Sequence, residues 1–133
     1  MPANNCTLKK NATAMSVTGG TDETFSEVGS NVANGLVAAD ATVFDLRIRP
    51  SITYKNRPAT KQANGSWSKQ KRTATIVVPK TLASGEVVFD LLRIDFEVSV
   101  ETTDAEMTNI LMLGGQLPSN TNLATFWKQG NVR

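Results

Sequence analysis

The stretch from Val87 to Val100 constrains the fold more than any other part of the chain. Leu92, Ile94, Phe96, Val98 and Val100 alternate without a break, and Phe89, Leu91, Arg93, Asp95, Glu97 and Ser99 fill the positions between them. Successive side chains on a strand point to opposite faces, so this period of two describes one long strand. One of its sides is dry and the other mostly wet. An antiparallel sheet with one covered face and one solvated face produces such a pattern.

Two more segments carry the same period. In Val43 to Arg49, Phe44, Leu46 and Ile48 alternate with Asp45, Arg47 and Arg49, which predicts a strand closed by Pro50 at an edge or bulge. In Lys69 to Val78, Ala74, Ile76 and Val78 share one face while Lys69, Lys71, Thr73 and Thr75 share the other, and Pro79 is expected to end the strand. Between them, Tyr54 to Ser68 is rich in Asn, Pro, Gly and Ser and reads as a long hairpin connection with Asn64-Gly65 near its tip. Ser84-Gly85 marks the next turn. At the N-terminus, Cys6 to Val17 and Thr24 to Val28 flank Gly19-Gly20 and predict a hairpin, followed by turn chemistry from Ser30 to Gly35.

After Val100 the period changes. Thr103-x-x-Glu106 is a capping box, with Asp104 in the first turn where negative charge suits the helix dipole. Met107, Ile110 and Leu111 follow at helical spacing, and Gly114-Gly115 is expected to stop the helix. Pro118-Ser119 would open a second short helix, with Leu123, Phe126 and Trp127 on its apolar face and Gly130 at its end. As a DNA-reading pair these helices are poor, because the second carries Lys128 as its sole basic residue.

The expected class is α+β: an N-terminal β-hairpin over 1–29, a five-stranded antiparallel main sheet over 30–101, and two C-terminal α-helices over 103–130. All belong to a single domain of 133 residues. Five strands span roughly 24 Å, whereas helices of about ten residues are only ~15 Å long. Two such helices cover about half of the dry face. The remaining apolar area is too large for a soluble monomer. The expected solution is an interlocked homodimer in which Met107, Ile110, Leu111, Leu123, Phe126 and Trp127 form the interface.

Charge is unevenly placed. Nine of the 14 basic residues and none of the 12 acidic ones lie between Arg47 and Lys80, which leaves a net charge of −7 for the rest of the chain. Such a stretch is an electrostatic footprint for a polyanion, and it is equally the composition of a solvated, lysine-rich hairpin. In-phase placement on strands favours the polyanion. A sheet face lined by Arg47, Arg49, Lys69, Lys71, Thr73 and Thr75 can hold phosphates and splayed bases of single-stranded RNA. Phe89 sits on that face either as a base-stacking platform or as a packing residue. Tyr54 and Trp67 read as local packing.

The chain has no histidine, so the commonest general base and metal ligand is missing, and no glycine-rich phosphate loop is present. Asp95 and Glu97 read as solvated carboxylates or partners of Arg93 rather than as a metal or acid–base site. No enzymatic activity, cofactor or metal is expected. One cysteine, Cys6, forbids an internal disulfide framework, and no apolar run is long enough for a membrane span. The polar N-terminus lacks a signal segment, so the sequons at Asn5, Asn11 and Asn64 read as chance.

The order of elements resembles the coat proteins of single-stranded RNA bacteriophages. Ser30-Asn31-Val32-Ala33-Asn34-Gly35 looks like the family's turn before the main sheet, and Ile76-Val77-Val78-Pro79-Lys80 like the strand end before the loop that surrounds the symmetry axes. Thr103-Asp104-Ala105-Glu106 is similar to the start of the first helix, and Leu113-Gly114-Gly115 through Pro118-Ser119 to the break between helices. The resemblance implies dimers assembled into a T=3 icosahedral virion, formed in the bacterial cytoplasm and packaging genomic RNA. It also implies binding of an RNA hairpin operator as a translational repressor. The RNA-facing positions would then be Arg47, Arg49, Ser51, Lys69, Lys71, Thr73, Thr75, Phe89, Leu91 and Arg93. The connection from Ser51 to Ser68 is longer, and the turn from Lys80 to Glu86 shorter, than the family leads one to expect.

Overall fold

A computed structural model describes residues 8, 19–20, 22–29 and 33–131. The expected first hairpin strand, Cys6 to Val17, falls outside the described residues except for Leu8. Five strands form one antiparallel meander in chain order: β1 (Ser26–Gly29), β2 (Gly35–Ala39), β3 (Ser51–Arg57), β4 (Gln70–Thr81) and β5 (Val87–Val98). The chain divides into two compact units, one holding this sheet over 20–100 and one holding the C-terminal helices.

In the sheet unit, β4 and β5 form the longest ladder, from Gln70 opposite Val98 to Thr81 opposite Val87. Pro79 lies inside β4 rather than ending it. The pairing with β3 stops at Ser51 opposite Val77, so at Pro79 the strand has β5 alone as neighbour. A missing N–H is tolerated on such a free edge. The tip at Asn64-Gly65 forms as expected: the Ser66 amide and hydroxyl donate to Asn64 Oδ1 at 3.0 and 2.6 Å, and Gly65 takes φ +85°.

The segment Val43 to Arg49 is a loop, not the strand its alternation predicts. Aspartates fold it locally. The Thr42 amide and hydroxyl donate to Asp40 Oδ1 at 3.0 and 2.6 Å, and the Arg47 amide donates to Asp45 Oδ1 at 3.0 Å. Arg49 Nε donates to the Val43 carbonyl at 2.8 Å. Side-chain-to-backbone bonds of this kind compete with a ladder for the same amides. Phe44 is therefore 92% exposed instead of facing a core. The strand that pairs with β4 is instead Ser51–Arg57, which overlaps the region read as connection.

In the helix unit, α1 (Asp104–Ser119) begins with the expected capping box: the Glu106 amide donates to Thr103 Oγ1 at 3.3 Å and the Thr103 amide to Glu106 Oε2 at 2.8 Å. Gly114-Gly115 does not stop it. A glycine stop needs a left-handed residue, and neither glycine has a positive φ. The helix runs on through Pro118, and the break falls at Asn120, whose side chain accepts from the Asn122 amide at 2.9 Å. A 3-10 turn (Thr121–Leu123) then leads into α2 (Ala124–Gln129), which Gly130 ends at φ 73° as the sequence predicts. Trp127 Nε1 donates to the Leu117 carbonyl at 2.9 Å and so ties the two helices together.

Among the described residues, the buried apolar side chains are Ala38, Ala39, Val98 and Leu123. Three of the four are small, so the described residues of one chain form little core. Close backbone packing makes Gly35 indispensable: a Cβ there would run into the Tyr54 carbonyl of β3. Gly35→Ala should cost about 1–3 kcal/mol or more, in the range of overpacked sites, read as a lower midpoint in urea denaturation.

Candidate functional site

Residues opposite each other in an antiparallel pair share a face. The register therefore builds cross-strand rows on β3, β4 and β5: Ser51, Val77 and Leu91; Thr53, Thr75 and Arg93; Lys55, Thr73 and Asp95; Arg57, Lys71 and Glu97. Thr53, Lys55, Lys71, Thr73, Thr75, Arg93 and Asp95 line a shallow cleft of about 410 Å³ on this side of the sheet. The intervening positions build the opposite face. Ile52, Ile76 and Leu92 form one row there, and Tyr54, Ala74 and Ile94 the next. Ile94 is 56% exposed and Val78, Leu92 and Tyr54 only slightly less.

Of the sequence-predicted RNA positions, Ser51, Lys71, Thr73, Thr75, Phe89, Leu91 and Arg93 come together on the polar face. Lys69 lies one residue before β4 and is exposed. Arg47 and Arg49 do not join the rows. They sit in the loop before β3, Arg47 in an ion pair with Asp45 at 2.8 Å and Arg49 on the Val43 carbonyl. That Arg47 contact, chiefly its side-chain hydrogen bond, holds the Asp45 carboxyl down at about 2. Thr53, Lys55 and Arg57 take the places assigned to Arg47 and Arg49. Their signal is the alternation Ile52, Tyr54 against Thr53, Lys55, Arg57, which turn residues further along obscured.

Cations and carboxylates interlock on this face. Lys71 Nζ stands 3.7 Å from both Asp95 and Glu97, and Arg57 stands 3.8 Å from Glu97. These pairs, rather than one with Arg93, occupy the carboxylates; such solvent-screened pairs are weak and exchangeable. Lys55 and Arg93 form no salt bridge among the described residues. The face thus offers ammonium, guanidinium and threonine hydroxyl donors suited to phosphate oxygens and base edges. Phe89 and Leu91 extend it with an apolar patch, 59% and 61% exposed.

The expected interface residues lie in the helix unit. Ile110, Leu111 and Trp127 are about half exposed, Met107 and Phe126 half-buried, and Leu123 buried. Phe126 meets Trp127 edge-on at 4.8 Å between ring centroids.

Asp95 is held in its ionised form. The Thr73 hydroxyl donates to Asp95 Oδ1 at 2.6 Å, and the charges of Lys71 and Arg93 act in the same direction, so its carboxyl lies below the ordinary carboxylate range. Because the folded value is depressed, this contribution to stability is present at neutral pH and fades as the pH falls through that value. Thr73→Val should raise the Asp95 titration midpoint, followed by the carboxyl carbon NMR shift. An unchanged midpoint would mean that the hydroxyl does not hold the charge.

No protein-family model matches the sequence, and no curated protein matches it significantly. Solved structures do. A virus-like particle of bacteriophage GQ-907 superimposes with a TM-score of 0.89 at 35% identity, over 98% of this chain and 98% of that one. A virus-like particle of bacteriophage GQ-112 has a TM-score of 0.50 at 16% identity, over 89% of this chain and 84% of that one, a likeness of fold alone. With a five-stranded antiparallel meander followed by two helices, and this identity along nearly its whole length, the chain belongs to the coat-protein family of the single-stranded RNA bacteriophages.

Proposed function

We propose that the chain is the structural subunit of a phage capsid, without catalytic activity, which dimerises, closes into an icosahedral shell and holds single-stranded RNA against the polar face of its sheet. The particle formed by the 35%-identical relative supports the structural role. The segregation of the two sheet faces carries the rest of the reading. The apolar rows of the sheet and, on the helices, the half-exposed Ile110, Leu111 and Trp127 are each apolar surface that a partner could cover. Pairing two copies so that the helices of each cover the sheet of the other would close both. The domain is then a single coat-protein unit, with the residues over 103–130 as its dimerisation element. The shell's location is the virion, and a T=3 arrangement is what the family resemblance implies.

The polar face is then left for the packaged RNA. Lys55, Arg57 and Arg93 supply phosphate contacts, while Lys71, the threonines and Phe89 are available to sugars and bases. A hairpin operator bound on the same face would add the translational repression expected of the family. Leu91 offers no polar group for base readout at its position.

Electron microscopy of the purified protein tests the shell. Closed particles are expected, and a uniform dimer that never assembles, with or without RNA, would instead favour a small RNA-binding module. For the face, Lys55→Ala and Arg93→Ala should each lower the slope of log affinity against log salt by about 0.7, the value for one single-strand phosphate contact. Arg47→Ala, off the face and neutralised by Asp45, should leave the slope unchanged. Equal effects from all three would show that the basic residues act only through net charge.

A further inference from the structure

A carboxylate in the middle of a phosphate-binding face weakens binding unless it contacts something that donates hydrogen bonds. Asp95 occupies that position, on the wall of the cleft formed by Thr53, Lys55, Lys71, Thr73, Thr75, Arg93 and Asp95. Lys71 stands equally close to Asp95 and to Glu97, and Glu97 also faces Arg57, so Lys71 keeps a counter-ion when Asp95 turns to a ligand. The Thr73 hydroxyl fixes Oδ1 at 2.6 Å, and Oδ2 accepts no hydrogen bond among the described residues. An ionised carboxylate accepts and never donates, and its two oxygens provide about four acceptor sites. Most of them remain open toward the cleft, with the Lys71 ammonium, a donor, 3.7 Å from Oδ1.

We propose that Asp95 is a base-selecting residue and that the cleft takes an unpaired guanine. This inference rests on the RNA reading of the face. Single-stranded RNA presents the Watson–Crick edges of its bases to protein groups. Guanine is the base whose edge carries two adjacent N–H donors, N1–H and the N2 amine, next to an acceptor, O6. The two donors bond to the Asp95 carboxylate and O6 takes a bond from Lys71. Uracil sets carbonyl oxygens on both sides of its one N–H, and these repel a carboxylate. Adenine and cytosine each place a ring nitrogen acceptor beside their amine, so they form one bond where guanine forms two. Bonds to an ionised acceptor are the strong ones, which makes the choice selective. Thr53 and Thr75 lie beside the same cleft and Lys55 and Arg93 flank it, placed for the sugar and phosphates of that nucleotide.

Binding of the full chain, kept below its assembly concentration, to short oligouridines tests this. In separate probes every third base is guanine, inosine, adenine or cytosine. Wild-type protein should bind the guanine probe about tenfold tighter than plain oligouridine, in the range of a bidentate base contact. Inosine, which lacks the N2 amine, should fall between. Asp95→Asn keeps an acceptor for Thr73 and fills the same volume. It should bring the guanine and uridine probes to nearly equal affinity, while binding of plain oligouridine is kept or strengthened by the loss of a negative charge. Binding without base preference, a preference for another base, or a guanine preference that survives in Asp95→Asn would each overturn the assignment and leave the RNA face standing. Failure to bind any of the probes would overturn the RNA reading itself, and the guanine site with it.

Discussion

One sheet face of this chain has to be taken out of water, and the other does not. Ile52, Ile76 and Leu92 lie side by side across three strands, and Tyr54, Ala74 and Ile94 form the next row. Burial of apolar surface contributes about 25 cal/mol per Å². Among the described residues only Ala38, Ala39, Val98 and Leu123 are buried and apolar, which leaves most of that contribution unrealised on these rows. In the proposed dimer a second copy realises it, through helix residues that are also half exposed. Everything else about the site follows from that choice. With the apolar rows committed to a partner, the polar rows are the side of the sheet that remains for a ligand.

The electrostatics of that side show why charge along the chain differs from charge in space. The stretch from Arg47 to Lys80 contains no acidic residue. Folding nevertheless brings β5 against β4, and the Asp95 and Glu97 carboxylates meet Lys71 and Arg57 across the register. The loop before β3 similarly pairs Arg47 with Asp45. Lys55 and Arg93 are the cations of the cleft that stand outside these ion pairs among the described residues, and threonines lie between them. Such a surface can bind a flexible polyanion without fixing it by charge alone.

Long elements with a single strong period were legible. The alternation of Leu92, Ile94 and Phe96 against Arg93, Asp95 and Glu97 defined β5 and its two faces, and Lys71, Thr73 and Thr75 did the same for β4. The capping box at Thr103 and Glu106 placed the start of α1 because it is a reciprocal, local pair of hydrogen bonds. The misreadings come from local chemistry that periodicity does not register. Phe44, Leu46 and Ile48 alternate well, yet Asp40 and Asp45 capture nearby amides and turn the segment into a loop. That shifts the pairing strand to Ser51–Arg57 and replaces Arg47 and Arg49 on the face by Lys55 and Arg57. Gly114-Gly115 reads as a stop, but a glycine in right-handed conformation costs a helix only about 1 kcal/mol, and α1 continues through it.

The central claim is that RNA lies against the polar face of β3, β4 and β5. Ultraviolet cross-linking of RNA to protein within assembled particles, followed by mass spectrometry of the RNA-bearing peptides, tests it most directly. Adducts are expected on peptides covering 51–57, 70–81 and 87–98, with Phe89 prominent because aromatic side chains that stack on bases are well placed to react. Adducts confined to the hairpin over 58–69 or to the helices over 104–129 would contradict it.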